Sequence, residues 1–298
     1  MLTGVQILVV GGDARVIEVI HRLSEMDASI RLLGFEQLEQ SISGVEQANF
    51  EPASFMDMDA VVLPPIGTDS AGRIESDYSD QELVLTDDHI RMLPKHAKIY
   101  AGMINPYLNQ LCEQANIDAV PLFQRDDVAI YNSIPTAEGA IMMAIRETDF
   151  TIHGSVCMVL GMGRTGMTLA RVLAALGAKV RAGVHKPEQF ARAFELGFAP
   201  FYTSELALQA SDVNLIFNTI PHMIITAQVI AHIPREAVII DLASKPGGTD
   251  FRFASRRGIK ALIAPGLPGI VAPKTAGQII ARTLSGLILD DAKKRGNG

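Results

Sequence analysis

The sequence predicts an α/β protein with two α/β domains, the second of them a doubly wound parallel sheet. Two observations support this fold class. Short apolar runs alternate along the chain with segments of helical periodicity, which is typical of strand–helix–strand units with parallel strands. A chain of 298 residues is also long enough for two domains of about 100–200 residues each. We therefore expect two domains with a cleft between them, where ligands are often bound.

The first predicted domain begins with an apolar run at 5–10, which indicates a buried strand ending in the turn Gly11-Gly12-Asp13. A helix follows, with one apolar stripe at helical spacing formed by Val16, Val19, Ile20 and Leu23. Further predicted elements are strands at 30–34, 60–63 and 98–101 and a helix at 105–115. Because strands alternate with helices, we expect parallel pairing with right-handed crossovers.

A second series of elements begins after residue 154. It comprises strands at 155–160, 178–184, 213–217, 237–242 and 259–263, and a helix at 164–176. Pro187 suits the first turn of the next helix, and Gly197 suits its end. A helix at 135–148 is expected to connect the domains, which we bound at 1–138 and 139–272. The C-terminal segment 273–298 contains a last predicted helix, at about 275–293, that is expected to return to the first domain.

The composition is that of an ordinary globular protein, with 48% hydrophobic and 20% charged residues. A net charge of −7 without a run of Lys or Arg argues against nucleic-acid and anionic-membrane partners. Cys112 and Cys157 have no C-x-x-C partner, so we expect structural roles for both and no metal site. The most apolar stretch, 261–273, is shorter than the roughly 20 residues of a spanning helix. With no signal peptide apparent, a cytoplasmic protein is expected.

The main functional motif is the pattern G-x-G-x-x-G, which follows the apolar strand at 155–160 and opens a helix. This context favours a nicotinamide dinucleotide site of the Rossmann type over a βα turn without a ligand. The first glycine permits the tight turn, the second lets the backbone approach the pyrophosphate, and the third allows close helix–strand packing. N–H groups at the helix start would face the phosphates. The predicted cofactor-binding residues here are Gly161, Gly163, Arg164, Thr165 and Gly166.

The end of the following strand favours NADP over NAD. NAD-binding folds usually place Asp or Glu about 20 residues after the turn, whereas this chain has His185-Lys186 and no carboxylate before Glu188. Lys186, together with His185, could bind a 2′-phosphate. The alternative is that both are solvated loop residues, and Lys is a less specific phosphate ligand than Arg.

A second glycine turn, Gly11-Gly12, lacks the third glycine, which argues against a second dinucleotide site. Asp13 and Arg15 would lie at the carboxyl end of a strand and face the expected cleft. They are predicted either to contact the substrate or to cap the helix that follows.

Several segments at predicted strand ends are rich in Gly, Pro and small polar residues, namely 125–139, 218–221, 241–250 and 264–277. Together with 11–15 and 161–166, they resemble the A subunits of dipicolinate synthase from spore-forming bacteria. The resemblance runs from end to end, and the match over 264–277 is more specific than the glycine turn. The wider fold resembles alanine and D-2-hydroxyacid dehydrogenases, which also have two α/β domains.

The resemblance implies a role in sporulation, in the cytoplasm of the mother cell, on a branch of the lysine pathway. It implies that the chain acts with a flavoprotein-like B subunit to make pyridine-2,6-dicarboxylate. The implied reaction is oxidation of a small dicarboxylate, dihydrodipicolinate or its hydroxylated precursor, with NADP accepting a hydride. Related two-domain dehydrogenases imply a homo-oligomer. One departure is His185-Lys186, where NADP-binding relatives commonly have Arg followed by Ser or Thr.

Four residues that follow the predicted strand at 213–217, taken as the fourth Rossmann strand, are assigned to the cofactor, because the chain usually passes near the nicotinamide there. They are Asn218, Thr219, Ile220 and Pro221. His222 follows them and is a candidate general base, with water as the alternative. Lys274 is the second candidate catalytic residue, and Lys245 with Gly247 is predicted to bind the substrate. The alternative for each lysine is an exposed side chain without a ligand.

Ser133 and Thr136 are expected to begin the connecting helix and to bind a substrate carboxylate with the help of the helix dipole. The alternative for Ser133 is a helix N-cap.

Loss of a hydride and a proton makes the dihydropyridine ring aromatic, so strong nucleophilic machinery is unnecessary. The sequence contains no G-x-S-x-G or H-E-x-x-H motif. Two alternatives stay open. One is a cofactor-binding, catalytically silent scaffold or regulatory subunit. The other is a general 2-hydroxyacid dehydrogenase, whose Arg plus His–Glu arrangement we do not find in the C-terminal half.

Overall fold

The computed structural model describes residues 1–39 and 42–296. It divides into two compact units, which we call unit one (Met1–Val128 with Pro273–Gly298) and unit two (Ala129–Ala272). The predicted division was at 138/139, ten residues further along the chain. The C-terminal segment 273–298 is grouped with unit one.

Unit one is built on a parallel sheet. Its strands are β1 (Gln6–Val10), β2 (Ser29–Leu33), β3 (Val45–Gln47), β4 (Ala60–Val62), β5 (Arg73–Ile74), β6 (Leu83–Val84), β7 (Lys98–Ala101) and β8 (Asp118–Pro121). The sheet has the order β3-β2-β1-β4-β7-β8, and β5 pairs with β6 in an antiparallel hairpin. The parallel pairing predicted from the alternation of strands and helices is confirmed.

Unit two contains a second parallel sheet. Its strands are β9 (Val156–Leu160), β10 (Lys179–Val184), β11 (Ala199–Tyr202), β12 (Leu215–Asn218), β13 (Val238–Asp241) and β14 (Lys260–Ile263), in the order β11-β10-β9-β12-β13-β14. In β9, Cys157, Met158, Val159 and Leu160 are all fully buried. Burial of successive residues is expected of a parallel sheet that is covered on both faces. The predicted doubly wound sheet is confirmed.

The helices follow the strands in the alternation that the sequence predicts. They are α1 (Ala14–Glu25), α2 (Asp87–Arg91), α3 (Pro106–Ala115), α4 (Asp126–Glu147), α5 (Arg164–Ala175), α6 (Pro187–Glu195), α7 (Leu206–Gln209), α8 (Ala227–Ile230), α9 (Phe251–Arg257), α10 (Leu267–Val271) and α11 (Pro273–Gly296). Each strand that the sequence analysis identified lies within two residues of its predicted bounds. The apolar stripe predicted on α1 is buried. Within the described residues, no helix has both the length and the apolar character that a membrane span requires.

The connecting helix begins earlier than predicted, so the placement of Ser133 and Thr136 at its start is wrong. Helix α4 begins at Asp126, and Pro135, which suggested a helix start, lies inside it. The Ser133 hydroxyl, buried in the structure, donates to the carbonyl of Ile130 (2.6 Å) and bonds the hydroxyl of Thr168 on α5 (2.7 Å). The hydroxyl of Thr136 donates to the carbonyl of Asn132 (2.7 Å). The helix-dipole argument for a substrate carboxylate therefore does not apply to this pair.

Helix α11 packs along α1 in unit one. Gly277 lies against the backbone of Arg15, where an added Cβ would be 2.5 Å from the Arg15 carbonyl oxygen. Gln278 Nε2 donates to Glu18 Oε2 (3.1 Å). At the other end of the helix, Asp291 accepts hydrogen bonds from Lys98 Nζ (2.9 Å) and the hydroxyl of Tyr100 (2.7 Å). Contacts at both ends therefore fix this helix to unit one.

The two cysteines are buried and free. Burial raises the pKa of Cys112 to about 11 and that of Cys157 to about 12. Their thiols are therefore protonated near neutral pH and are poor nucleophiles. In the part of the chain that the structure describes, no group of three or more His, Cys, Asp or Glu residues is arranged to hold a metal ion.

Candidate cofactor-binding and active site

The glycine turn connects β9 to α5 and is closed by Thr219, which follows β12. Thr219 N and Oγ1 both donate to the carbonyl of Leu160 (3.0 and 2.8 Å). Gly161 has φ +92°, and a Cβ there would lie 2.5 Å from Thr219 Oγ1. A Cβ on Gly166 would collide with the carbonyl oxygen of Gly161. Packing of the turn therefore requires both glycines.

Gly163 is different, because a Cβ added there would meet no protein atom within 4 Å. It is the N-cap residue of α5 and makes no side-chain capping hydrogen bond. The protein thus leaves open the space in front of a helix N-terminus, where backbone N–H groups and the helix dipole favour an anion. This arrangement fits the pyrophosphate of a dinucleotide.

His185 and Lys186 lie beside the glycine turn. The pairing of Gly183 with Leu160 places the end of β10 next to the end of β9, and Gly161 N donates to the Gly183 carbonyl (2.9 Å). Both side chains are exposed. Glu188 Oε1 is 4.0 Å from Lys186 Nζ, and both groups are largely solvated. Such an exposed pair is weak, so the ammonium group can turn to another anion.

Residues 218–221, which begin with the last residue of β12, form a tight segment next to the turn. Asn218 is fully buried, and its side chain holds Ile220 at both backbone groups. Asn218 Nδ2 donates to the Ile220 carbonyl (3.0 Å), and Ile220 N donates to Asn218 Oδ1 (3.1 Å). Since Thr219 is bonded to the turn, the structure brings the predicted cofactor residues of β9, β10 and β12 to one edge of the sheet.

Asp241, at the end of β13, was not among the predicted site residues. It is 2% exposed and accepts hydrogen bonds at both carboxyl oxygens. The donors are Asn218 Nδ2 (3.0 Å), Ala243 N (3.1 Å), Gly248 N (2.9 Å) and the Thr249 hydroxyl (2.7 Å). The available sequence signal was a carboxylate that ends an apolar strand and precedes a loop of small residues.

The segment with His222 contacts the loop with Lys245 and Gly247. A Cβ on Gly248 would lie 2.7 Å from the carbonyl oxygens of both His222 and Ile220. The side chains of His222 and Lys245 are exposed. Unit two therefore presents an imidazole and an ammonium group on neighbouring loops beside the candidate cofactor site.

Asp13 and Arg15 lie at the carboxyl end of β1 in unit one. Asp13 caps α1 by accepting from Arg15 N (2.9 Å), and the Arg15 guanidinium also bonds its carboxyl group. Burial opposes ionisation of this carboxyl, but the hydrogen bonds and charge of Arg15 hold its pKa below the ordinary value. The structure thus has the predicted helix cap, and a substrate contact stays a prediction.

Lys274 belongs to unit one, so the two candidate catalytic residues, Lys274 and His222, lie in different units. It is an exposed residue near the start of α11. It lines a groove of about 550 Å³ together with residues that include His21, Glu18 and Tyr78.

Comparison with known families separates the chain into two matching regions. Residues 6–123 match the N-terminal domain of the A subunit of dipicolinate synthase. Residues 136–245 match the NAD-binding domain of D-isomer-specific 2-hydroxyacid dehydrogenases. The second match covers the glycine turn and the ends of β10, β12 and β13, which supports a nicotinamide dinucleotide cofactor.

Relatives match the whole chain. The A subunit of dipicolinate synthase of Bacillus subtilis (strain 168) is 49% identical over 296 residues, which are 99% of this chain and 100% of the relative. The crystal structure of the corresponding protein from Bacillus halodurans has a TM-score of 0.94 at 51% identity, covering 97% of this chain and 99% of that one. The Bacillus subtilis crystal structure has a TM-score of 0.95 at 49% identity, covering 99% of each chain. With such identity along its whole length, this chain belongs to the family of dipicolinate synthase A subunits, and its second unit contains a dehydrogenase NAD-binding domain.

Proposed function

We propose that this chain is the dehydrogenase subunit of a dipicolinate synthase. It oxidises dihydrodipicolinate, supplied as such or formed by loss of water from its hydroxylated precursor, to pyridine-2,6-dicarboxylate, with NADP accepting the hydride and one proton released. It works with a flavoprotein-like B subunit in the cytoplasm of the sporulating mother cell. The observation that supports this most is the open space at Gly163 in front of α5, in a chain 49% identical to the A subunit of the Bacillus subtilis dipicolinate synthase.

Three parts of unit two would hold the dinucleotide. The backbone at Gly163 and the first N–H groups of α5, at Arg164 and Thr165, suit the pyrophosphate. Lys186 with His185 suits the 2′-phosphate, and the segment 218–221 suits the nicotinamide end. When bound, NADP supplies the hydride acceptor, and the protein supplies orientation and electrostatics.

Exposed polar groups near this site suit the substrate. The Lys245 ammonium and the backbone of Gly247 can bind a carboxylate. An imidazole nitrogen of His222 can take the proton that the ring loses together with its hydride, and water is the alternative acceptor. The hydroxyl of Ser133 is left out of the proposed site, because α4 and α5 already use its hydrogen bonds. In unit one, Asp13 and Arg15 stay predicted substrate contacts, and Lys274 stays a candidate catalytic residue.

The activity can be tested by following NADPH absorbance with freshly generated dihydrodipicolinate. The chain would be assayed with and without its B subunit, and with NADP or NAD. Turnover with NADP by the chain alone is the expected result. Tight NADP binding by the chain without any turnover of its own, together with activity that belongs to the B subunit alone, would contradict a dehydrogenase role. That result would favour a scaffold subunit.

Cofactor preference gives a second test, through Lys186→Glu. The new carboxylate repels a 2′-phosphate and resembles the acidic residue with which NAD-binding folds hold the ribose. Loss of a charge-assisted hydrogen bond predicts a roughly 10–100-fold weaker affinity for NADPH, with NADH affinity unchanged or higher. NADPH fluorescence is a suitable measurement, because the chain contains no Trp.

A matched control for this test is Lys179→Glu. Lys179 is an exposed residue at the opposite end of the same strand, β10, and the charge change is identical. If both variants weaken NADPH binding equally, the effect is one of net charge and the 2′-phosphate assignment fails.

A further inference from the structure

A buried polar cluster joins the loops that follow β12 and β13. Asn218, Asp241 and Thr249 are 0%, 2% and 4% exposed. Buried polar groups cost free energy unless they are hydrogen-bonded, and here Asn218 and Thr249 both bond the carboxyl group of Asp241. Because the cluster lies where both strands end, it controls how the two loops leave the sheet.

One arm of the cluster holds the loop after β13. Asp241 Oδ2 accepts from Gly248 N (2.9 Å) and from the Thr249 hydroxyl (2.7 Å). These donors lie directly after Lys245 and Gly247 in the chain. This carboxyl oxygen therefore fixes the return of the loop that includes the predicted substrate-binding lysine.

The other arm holds the segment after β12. Asp241 Oδ1 accepts from Asn218 Nδ2 (3.0 Å), and the same amide nitrogen donates to the Ile220 carbonyl (3.0 Å). Thr219 then bonds the carbonyl of Leu160, at the beginning of the glycine turn. This carboxyl oxygen is thus connected through Asn218 to the segment predicted to contact the nicotinamide.

Gly248, in the loop after β13, packs closely against the segment after β12. A Cβ there would collide with Asn218 Nδ2 and lie 2.7 Å from the carbonyl oxygens of Ile220 and His222. In addition, Ile224 N and Ile225 N both donate to the Gly248 carbonyl (3.0 and 2.8 Å). The two loops therefore pack together at Gly248, and the hydrogen bonds of Asp241 hold each loop separately on its own side of this contact.

We propose that Asp241 is a positioning residue with two separable arms. Through Gly248 and Thr249 it orders the 243–250 loop for the substrate dicarboxylate, and through Asn218 it orders the 219–222 segment for the nicotinamide. The assignment of substrate and nicotinamide to the two loops rests on the proposed function. The ordering of the loops rests on the hydrogen bonds alone. Oδ2 accepts only from Gly248 and Thr249 among these donors, whereas Oδ1 accepts from Asn218 and also from Ala243 N at the start of the loop (3.1 Å). The Oδ2 arm can therefore be weakened without the Asn218 arm.

The test compares Thr249→Val with Thr249→Ser. Valine has a similar shape but lacks the hydroxyl, so it removes one donor to Asp241 Oδ2 and leaves the Asn218 arm intact. We expect the KM for dihydrodipicolinate to rise about fivefold, the size of one hydrogen bond, with the Kd for NADPH changed less than about twofold. Serine keeps the hydroxyl and restores the lower KM.

Asp241→Asn affects both arms, because it removes the negative charge to which both are bonded. Whichever way the amide turns, its NH2 group also faces the donors of one arm. We expect the substrate KM and the NADPH Kd both to rise about tenfold. If this variant does not fold, the Thr249 pair still decides the proposal, since a Thr→Val change keeps the packing volume.

Hydrogen exchange of the ligand-free chain is the independent measurement. Peptides over 243–250 should exchange faster in Thr249→Val than in the wild type or Thr249→Ser, while peptides over 218–222 should not. In Thr249→Val, equal changes in the substrate KM and the NADPH Kd, or unchanged exchange over 243–250, would contradict the separable arms. A wild-type chain without turnover would instead contradict the proposed function, and the exchange result would still decide the positioning role.

Discussion

The two units have sheets of the same strand order, but their first βα turns are different. In unit two the space at Gly163 is open. In unit one, the segment after β5 covers the equivalent turn after β1. Gly12 N donates to the Glu75 carbonyl (2.9 Å), and Asp77 N donates to the Gly12 carbonyl (2.9 Å). Backbone groups that could face a phosphate in one unit are thus used by the protein itself in the other.

The helix that follows each turn shows the same difference. Asp13 caps α1 and supplies a negative charge at its N-terminus, whereas α5 begins at Gly163 without a side-chain cap. An anion favours a helix N-terminus, and in unit one the protein provides that anion. Shared topology therefore does not give shared function, because the ligand site is determined by the turn.

The largest expected effect is that of Gly12→Ala, which breaks the closed turn. Gly12 has φ +124°, where L-residues are strained, and the added Cβ would lie 2.9 Å from Val16 Cβ. We expect the free energy of unfolding of unit one to fall by about 2–3 kcal/mol. Denaturant unfolding followed by circular dichroism measures the loss. NADPH affinity of the folded protein should stay unchanged, and a weaker affinity would show that this turn contributes to the cofactor site.

Gly163→Ser fills the open turn and has the next largest expected effect. Serine is a good N-cap residue, so the stability of α5 should be kept, and its Cβ meets no protein atom within 4 Å. The side chain would instead occupy the proposed pyrophosphate space. We expect NADPH binding to weaken at least about tenfold, or about 1.4 kcal/mol. Unchanged affinity in a titration followed by NADPH fluorescence would contradict the assignment of the space at Gly163 to the pyrophosphate.

The sequence was sufficient for features that depend on local pattern. Apolar strands such as β9 and β13, the helix stripe of α1 and the glycine turn were all predictable, because each is encoded within a few neighbouring residues. Short strands with polar or proline residues were missed, for example β3 (Val45–Gln47), whose last two residues are exposed, and β8 (Asp118–Pro121). Their pairing depends on the neighbouring strand more than on their own composition.

Contacts between distant segments were not predictable. The bridge of Gly12 with Ser76 closes the turn of unit one, and nothing near Gly12 in the sequence indicates it. Asp241 is bonded by a donor from the end of β12 and by donors at three positions in the loop after β13, so its role depends on the sheet order. Pro135 favoured a helix start by its type, yet it lies inside α4, where the remaining helix contacts outweigh its missing N–H.

Gly286→Ala has the smallest expected effect and sharpens the comparison, since it tests a glycine that neither closes a turn nor leaves room for a ligand. Gly286 lies on the exposed face of α11, with helical residues on both sides of it in the chain. An added Cβ would have no protein atom within 4 Å. Alanine restricts the unfolded chain and favours the helix, so unit one should gain about 0.5–1 kcal/mol. Thermal unfolding measures the gain, and NADPH affinity should not change. A loss of stability, or an altered affinity, would mean that this face of α11 is covered in the assembled protein, and glycine would then be required there by close contact, as it is at Gly12.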